Sequence, residues 1–141
     1  MAPELGIDLG TANTLVVAGG TGIVFDQPSV CCFQGYDAVP RFIAAGTEAH
    51  KHVGKVSRPL KIVHPLRNGV LSDMSAAREL LSFVHRTVAG GIRFRRIRAA
   101  IGVPADATQA EKHALSTAAM DAGFAEPQLF AEPILAAIGL G

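Results

Sequence analysis

The chain has 141 residues, 49% of them hydrophobic and 18% charged, with a formal net charge of +1 at pH 7. That length suffices for one domain with its own core, and the balance excludes a disordered chain and any global electrostatic pull towards nucleic acid. The longest apolar runs, Thr14 to Ala18 and Ile134 to Ile138, fall far short of the roughly 20 residues that span a bilayer.

Met1-Ala2-Pro3-Glu4 has no basic segment, so no signal peptide is expected. Leu5-Gly6-Ile7-Asp8-Leu9 reads as a short buried strand and Thr14-Leu15-Val16-Val17-Ala18 as a second. With only Gly10 to Asn13 between them, the connection is a tight hairpin turn. Gly19-Gly20-Thr21-Gly22 turns the chain again before Ile23-Val24-Phe25, and Gln27-Pro28-Ser29 breaks that run, so three antiparallel strands open the chain. Ser29 to Phe33 is a fourth apolar stretch, leading into a small inserted subdomain over about residues 34–65. Its adjacent Cys31 and Cys32 have the wrong spacing for a zinc site and a poor one for a structural disulfide. They read as one core and one surface thiol of a single strand in a reducing cytoplasm.

From Tyr36 to Leu66 the pattern is irregular, with a short strand around Phe42-Ile43-Ala44, a helical turn at Thr47 to Val53, then Pro59 and Pro65. Asp73 or Ser75 caps a helix whose Ala77, Leu80, Leu81, Val84 and Val88 share one face, and Gly90-Gly91 stops it. Ala99-Ala100-Ile101-Gly102-Val103 is a buried strand ended by Pro104. Thr108-Gln109-Ala110-Glu111 is a capping box at the head of a helix carrying Leu115, Ala118, Ala119 and Ala122 inward, with Gly123 at its end. Gln128 to Ala131 is a short strand, and Ile134 to Leu140 begins a helix after Pro133. A three-strand meander followed by helix, strand, helix, strand and helix is the order of a mixed-sheet α/β unit.

Between the first two strands, Asp8-Leu9-Gly10-Thr11-Ala12-Asn13-Thr14 places a glycine and small polar residues where backbone N–H groups can converge on an anion. Gly10 lets the backbone approach a phosphate, Thr11 and Asn13 can add hydrogen bonds, and Asp8 can hold a hydrated magnesium ion against the phosphate charge. From spacing alone, an ordinary hairpin whose Asp and Thr satisfy turn N–H groups is the commoner reading. Glu132, directly before Pro133 at a strand end, could orient an attacking water. Alone it reads better as a glutamate favoured by the dipole of a helix that starts at Pro133.

Two further features invite a function. In Gly91-Ile92-Arg93-Phe94-Arg95-Arg96-Ile97-Arg98, Ile92 and Phe94 could enter a headgroup region while Arg93, Arg95 and Arg96 meet anionic lipid, each base worth about 1 kcal/mol near such a surface. The alternative is an edge strand with its apolar residues inward and its arginines solvated; a nucleic-acid surface is weaker, since no recognised module surrounds the patch. His50, His52, His64, His85 and His113 show no ligand pair at helical spacing and read as solvated surface residues.

GIDLGTANT, the GTGIVFDQPSV that follows, PLRNGVLSD, IGVPADATQAEK and AEPILAAIG stand in the order and approximate spacing of MreB-type bacterial actins. Over nearly its whole length the chain resembles the first half of that family, part of the actin/Hsp70/sugar-kinase superfamily. The resemblance implies a ribonuclease H-like, actin-like ATPase fold, with a core over about residues 1–33 and 66–141 around the insertion. It makes Asp8, Gly10, Thr11, Ala12 and Asn13 the first phosphate loop for ATP, Asp8 the neighbour of magnesium through water, and Glu132 the glutamate that activates water. It also puts the Ile92, Arg93, Phe94, Arg95 and Arg96 loop where the family touches the inner face of the membrane. The stretch with Asn68 departs from the family, which reads more like aspartate there, so Asp73 is a helix cap first and a nucleotide neighbour second.

In this superfamily a second half brings another glycine-rich loop and the adenine pocket, and neither is visible before Gly141. The expectation is therefore ATPase activity for a full-length member and little or none for this chain, since half a site leaves the phosphates in water on one side. Implied partners are further copies in a filament, the inner membrane surface and, for a naturally short form, a full-length actin-like subunit; the implied location is cytoplasmic. A truncated binding or regulatory module and a sugar-kinase or Hsp70-like ATPase fragment are the competing readings. The TANT form of the turn and AEPILAAIG favour the actin-like branch.

Overall fold

The computed structural model of the protein describes residues 3–36, 38–55, 59–90, 96–103 and 106–131. It opens with the expected meander of β1 (Leu5–Leu9), β2 (Asn13–Ala18) and β3 (Gly22–Pro28). β1 lies antiparallel to β2, with Leu5 opposite Ala18 and Leu9 opposite Thr14, and β2 lies antiparallel to β3. β3 runs on through Pro28 instead of breaking at Gln27. It is an outer strand of its sheet, where a proline without an N–H is tolerated.

A second, three-stranded sheet follows, built from β4 (Cys31–Gln34), β5 (Arg41–Ala45) and β6 (Leu60–Val63), with the short α1 (Thr47–His50) between the last two. β4 is central and antiparallel to both neighbours. β6 departs from expectation, because Pro59 and Pro65 read as breakers; here they bracket a strand whose four residues all pair with β4. The expected surface thiol is corrected too, since Cys31 and Cys32 are both fully buried. The alternation of β4 sends Cys31 and Phe33 into a cluster with Leu66 and Leu80, and Cys32 against Val30 and Ala49, and α1 supplies that second cover. The Cys31 thiol donates to the Ala76 carbonyl at 3.4 Å. Burial, helped by the charges of Glu79 and Asp73, pushes that thiol up to about 12.

The hairpin of β7 (Leu66–Arg67) and β8 (Val70–Leu71) leads into α2 (Met74–Val88). Its central residues Asn68 and Gly69 have φ of +52° and +75°, as a type I′ turn requires. Of the two candidate caps it is Asp73 that starts α2, its carboxylate accepting from the Ala76 N–H at 2.9 Å. β9 (Ile97–Val103) leads to α3 (Gln109–Ala122), where the Thr108–Glu111 capping box is formed in both directions and Gly123 ends the helix at φ +114°. β10 (Phe124–Ala131) starts directly after Gly123 rather than at Gln128, with an irregularity between Ala125 and Gln128 that sets Glu126 at φ +48°. The helix expected over Ile134 to Leu140 lies outside the described residues.

The main sheet has the order β10-β9-β1-β2-β3, with β1, β9 and β10 parallel. α2 and α3 pack on one of its faces, where Leu5, Ile7, Val16, Phe25 and Ile101 meet Leu81, Val84, Ala118 and Ala119. His85 is corrected from surface to core: it is buried, edge-on to Phe124 at 5.1 Å between ring centroids, because α2's last turn rests on the start of β10. A further cluster of Leu9, Cys31, Phe33, Leu66, Leu80, Val103 and Leu115 joins the two sheets through α2. Helices on a mixed sheet, with a smaller sheet inserted after the third strand, make an α/β fold. Among the described residues no helix is long and apolar enough to cross a membrane.

Leu81 is fully buried, so Leu81→Ala is expected to cost about 2–5 kcal/mol of stability. Asp73→Ala, which frees one helix-terminal N–H, is expected to cost about 0.5–2 kcal/mol. Urea midpoints of the two variants check both the magnitudes and their order.

Candidate functional site

The carboxyl ends of parallel strands are where open α/β sheets present their binding crevices. Here Asp8 of β1 stands opposite Gly102 of β9, and Gly102 stands opposite Phe130 of β10. Strand alternation buries Leu5, Ile7 and Leu9 and leaves Asp8 exposed on the face away from α2 and α3. On its other side Asp8 is level with Leu15 of β2, which is level with Asp26 of β3. Two carboxylates therefore share one sheet face near the β1–β2 turn, while Gly102 leaves the space beside Asp8 free of a side chain.

The turn is tight. The Gly10 N–H donates to the Asn13 carbonyl at 3.1 Å, leaving Thr11 and Ala12 exposed at the tip. A Cβ on Gly10 would lie 2.6 Å from the Asn13 carbonyl oxygen, a backbone atom with little freedom to yield, so glycine is required for steric reasons. Outside contacts hold the turn from several directions. The Ser29 N–H donates to the Ala12 carbonyl at 2.8 Å, the Gly69 N–H donates to Thr11 Oγ1 at 2.7 Å, and Asn13 Nδ2 donates to Asp26 Oδ1 at 3.2 Å. Beneath it the buried hydroxyls of Thr14 and Ser29 share a 2.7 Å hydrogen bond.

Asp8, Gly10, Thr11, Ala12 and Asn13 thus lie together at one sheet edge. Asn13, expected to reach towards a phosphate, gives one of the two N–H bonds of its side-chain amide to Asp26. The groups that can face an anion are the N–H groups of Thr11 and Ala12, which donate to no backbone partner among the described residues, the Thr11 hydroxyl proton and the second N–H of the Asn13 amide. Asp8 offers only oxygen acceptors, the ligand type magnesium prefers, and a single carboxylate suits an ion that keeps most of its waters. The residues fit a hydrated magnesium ion beside a phosphate.

Glu132 lies outside the described residues; the last described residue of β10, Ala131, is level with Val103 at this same edge. Ile92, Arg93, Phe94 and Arg95 are also outside them. Arg96 is described and exposed, just before β9. It sits at the opposite end of that strand from Gly102, roughly 20 Å from the turn at about 3.3 Å per residue. Asp26, Ser29 and Gly69 are contributors that the sequence reading does not single out. Only Gly69 leaves a legible signal, an Asn-Gly pair of the kind that marks hairpin turns.

The sequence model of the family described as MreB/Mbl protein matches residues 2–141. The cell shape-determining protein MreB of Pasteurella multocida (strain Pm70) is 36% identical over 139 residues, covering 96% of this chain and 40% of that protein. The crystal structure of MreB5 of Spiroplasma citri bound to ADP superposes with a TM-score of 0.81 at 30% identity, covering 100% of this chain and 41% of that one. The structure of the MamK double helical filament gives 0.77 at 31% identity, covering 96% of this chain and 42% of its counterpart. The chain thus spans about two fifths of the length of the relatives it matches.

Because the turn has no room for a Cβ, Gly10→Ala is expected to cost about 1–3 kcal/mol of stability. Gly19→Ala, whose Cβ would meet nothing within 4 Å, is expected to be close to neutral. Urea unfolding of the pair makes the comparison, and equal losses would contradict the crowding.

Proposed function

The chain belongs to the MreB/Mbl family, and from that premise we propose that it carries the first phosphate-gripping half of a nucleotide-binding, actin-like protein that forms filaments and determines cell shape. The observation that carries this reading is the β1–β2 turn, held by β3, by Ser29 and by the β7–β8 hairpin beside the exposed Asp8. Two similar structures support it, since that of MreB5 is bound to ADP and that of MamK is a double helical filament.

In this reading the N–H groups of Thr11 and Ala12 and the Thr11 hydroxyl face the phosphates of ATP. Asp8 would hold magnesium through its water shell, and Asn13 offers the phosphates one amide N–H while the other fixes the turn through Asp26. Glu132 orients the water that attacks the terminal phosphate, by accepting its proton or fixing its approach. The main sheet with α2 and α3 is the rigid platform, and residues of about 34–65 are the inserted small subdomain. The other phosphate loop and the base pocket come from the remaining three fifths of a family member's length, so the chain alone binds weakly and turns over ATP slowly or not at all. Along the filament its partners are further copies; a naturally short form would act by pairing with a full-length subunit.

A second surface is offered by Ile92, Arg93, Phe94, Arg95 and Arg96, the segment that precedes β9. We assign this segment to contact with the anionic inner face of the membrane, the apolar residues entering the headgroups and the arginines meeting the lipid charge.

Calorimetry with Mg·ATP is expected to give weak, saturable binding that Asp8→Ala lowers by roughly tenfold or more, as loss of a charge-assisted contact would. Unchanged binding in Asp8→Ala would remove the magnesium role. Sedimentation with liposomes containing anionic lipid is expected to pull down the parent chain and much less of Phe94→Asp. Equal sedimentation of the two would remove the membrane surface.

A further inference from the structure

The chain holds two asparagines, Asn13 and Asn68, and they differ in the features that decide how long a side-chain amide survives. Asn13 is followed by the β-branched Thr14, which pairs with Leu9 in the ladder of β1 and β2, and its own amide is bonded to Asp26. Asn68 is followed by Gly69 at the centre of the β7–β8 turn, between the paired Arg67 and Val70. It is exposed, and its side chain makes no hydrogen bond among the described residues. Gly69 has no Cβ to keep its backbone nitrogen away from the side-chain carbon of Asn68.

The side-chain amide carbon of an asparagine is an electrophile within reach of the next residue's backbone nitrogen. Once base has removed the Gly69 amide proton, that nitrogen can attack Asn68 Cγ and close a five-membered succinimide. The bond from Cγ to Nδ2 breaks, and Nδ2 takes up the proton that the base removed and leaves as ammonia. Water then opens the ring. Breaking the new Cγ–N bond gives aspartate; breaking the backbone C–N bond gives isoaspartate, in which the chain runs through the side-chain carbon. The folded hairpin opposes the first step, because the Gly69 N–H is already donated, at 2.7 Å, and the ladder holds the nitrogen in place. Only two residue pairs close that ladder, Leu66 with Leu71 and Arg67 with Val70, so its opening belongs to the low-energy local motions of the fold. We propose that Asn68–Gly69 is a self-modification site, at which Asn68 is converted to aspartate and isoaspartate whenever the β7–β8 hairpin opens. The reaction needs water alone, with neither enzyme nor nucleotide. Both products put a new negative charge on the exposed tip, and isoaspartate adds a backbone carbon to a two-residue turn that has no place for it.

Peptide mapping that separates asparagine, aspartate and isoaspartate tests this, on the chain incubated folded and in denaturing urea, in neutral and in alkaline buffer. In urea Asn68 is expected to react, faster in the alkaline buffer, with isoaspartate among the products and Asn13 far behind. In the folded chain its conversion is expected to be slower by roughly tenfold or more, since opening the hairpin gives up more than one hydrogen bond. Ser72→Ala removes the hydroxyl that donates to the His64 and Pro65 carbonyls at the base of the hairpin, leaving Asn68 and Gly69 untouched. It is expected to speed conversion of the folded chain roughly two- to tenfold, the worth of one net hydrogen bond, and to leave the rate in urea unchanged. An Asn68 that stays intact in urea, or reacts no faster there than Asn13, would overturn the site. Equal rates in the folded and urea-unfolded chain, or a folded rate that Ser72→Ala does not change, would overturn its control by the hairpin.

Discussion

The register of β1 is the constraint on which the candidate site depends. This strand is central, hydrogen-bonded to β2 on one side and β9 on the other. Its alternation sends Leu5, Ile7 and Leu9 into the core and Asp8 outward. A slip of one residue would reverse every side chain, exposing Ile7 and burying a carboxylate at a cost of several kcal/mol. The hydrophobic pattern that protects the core is therefore the same pattern that delivers a charge to the end of the strand, beside the turn. No separate device is needed to place Asp8.

The turn itself is rigid for reasons that are not local. Its own closure is a single bond from the Gly10 N–H to the Asn13 carbonyl, while Ser29, Asp26 and Gly69 hold it from outside. These groups sit on elements that share cores: Leu9, at the end of β1, packs in one cluster with Leu66 of β7, Leu80 of α2 and Phe33 of β4. Donors fixed in this way need no reorganisation when charge arrives, which is where preorganised sites gain their advantage over water. The shared cluster also means that the small sheet is part of the turn's support.

What could be read from the sequence divides along this line between local and distant causes. The strands β1 and β2, the Asp73 cap of α2 and the capping box of α3 were legible because each depends on residues within one turn or one strand of each other. Gly10 was read as a glycine that lets the backbone approach a phosphate, while its crowding against the Asn13 carbonyl, a contact made on folding, was not legible. β6 was hidden by two prolines that bound it rather than break it, and the early start of β10 by Glu126-Pro127, which the strand accommodates with an irregularity. The burial of Cys32 depends on α1 folding back over β4, and that of His85 on α2 meeting β10. Neither is written near the residue concerned. The partnerships of Asn13 with Asp26 and of Thr11 with Gly69 are tertiary facts, across 13 and 58 positions. The ordered series of five motifs supplied the family, which no single stretch could have done.

On the proposed nucleotide reading, the donors the turn offers bear on how much affinity one half of such a site could supply. In the proposed nucleotide reading, two backbone N–H groups, one hydroxyl and one amide N–H, each bonded to a charged phosphate, would contribute about 1.5–3 kcal/mol apiece. Their sum is comparable with the roughly 4–15 kcal/mol of lost translational and rotational freedom on binding. Little net affinity survives, whatever the accuracy of the geometry. What a turn of this kind would supply is orientation, fixing where phosphate oxygens sit relative to Asp8 and to the end of β10. A second body closing over the other side of the phosphates adds its own donors without a second loss of freedom and excludes the water that weakens the first set. Specific geometry in one half and affinity on closure is a division that makes the bound state depend on both halves being together.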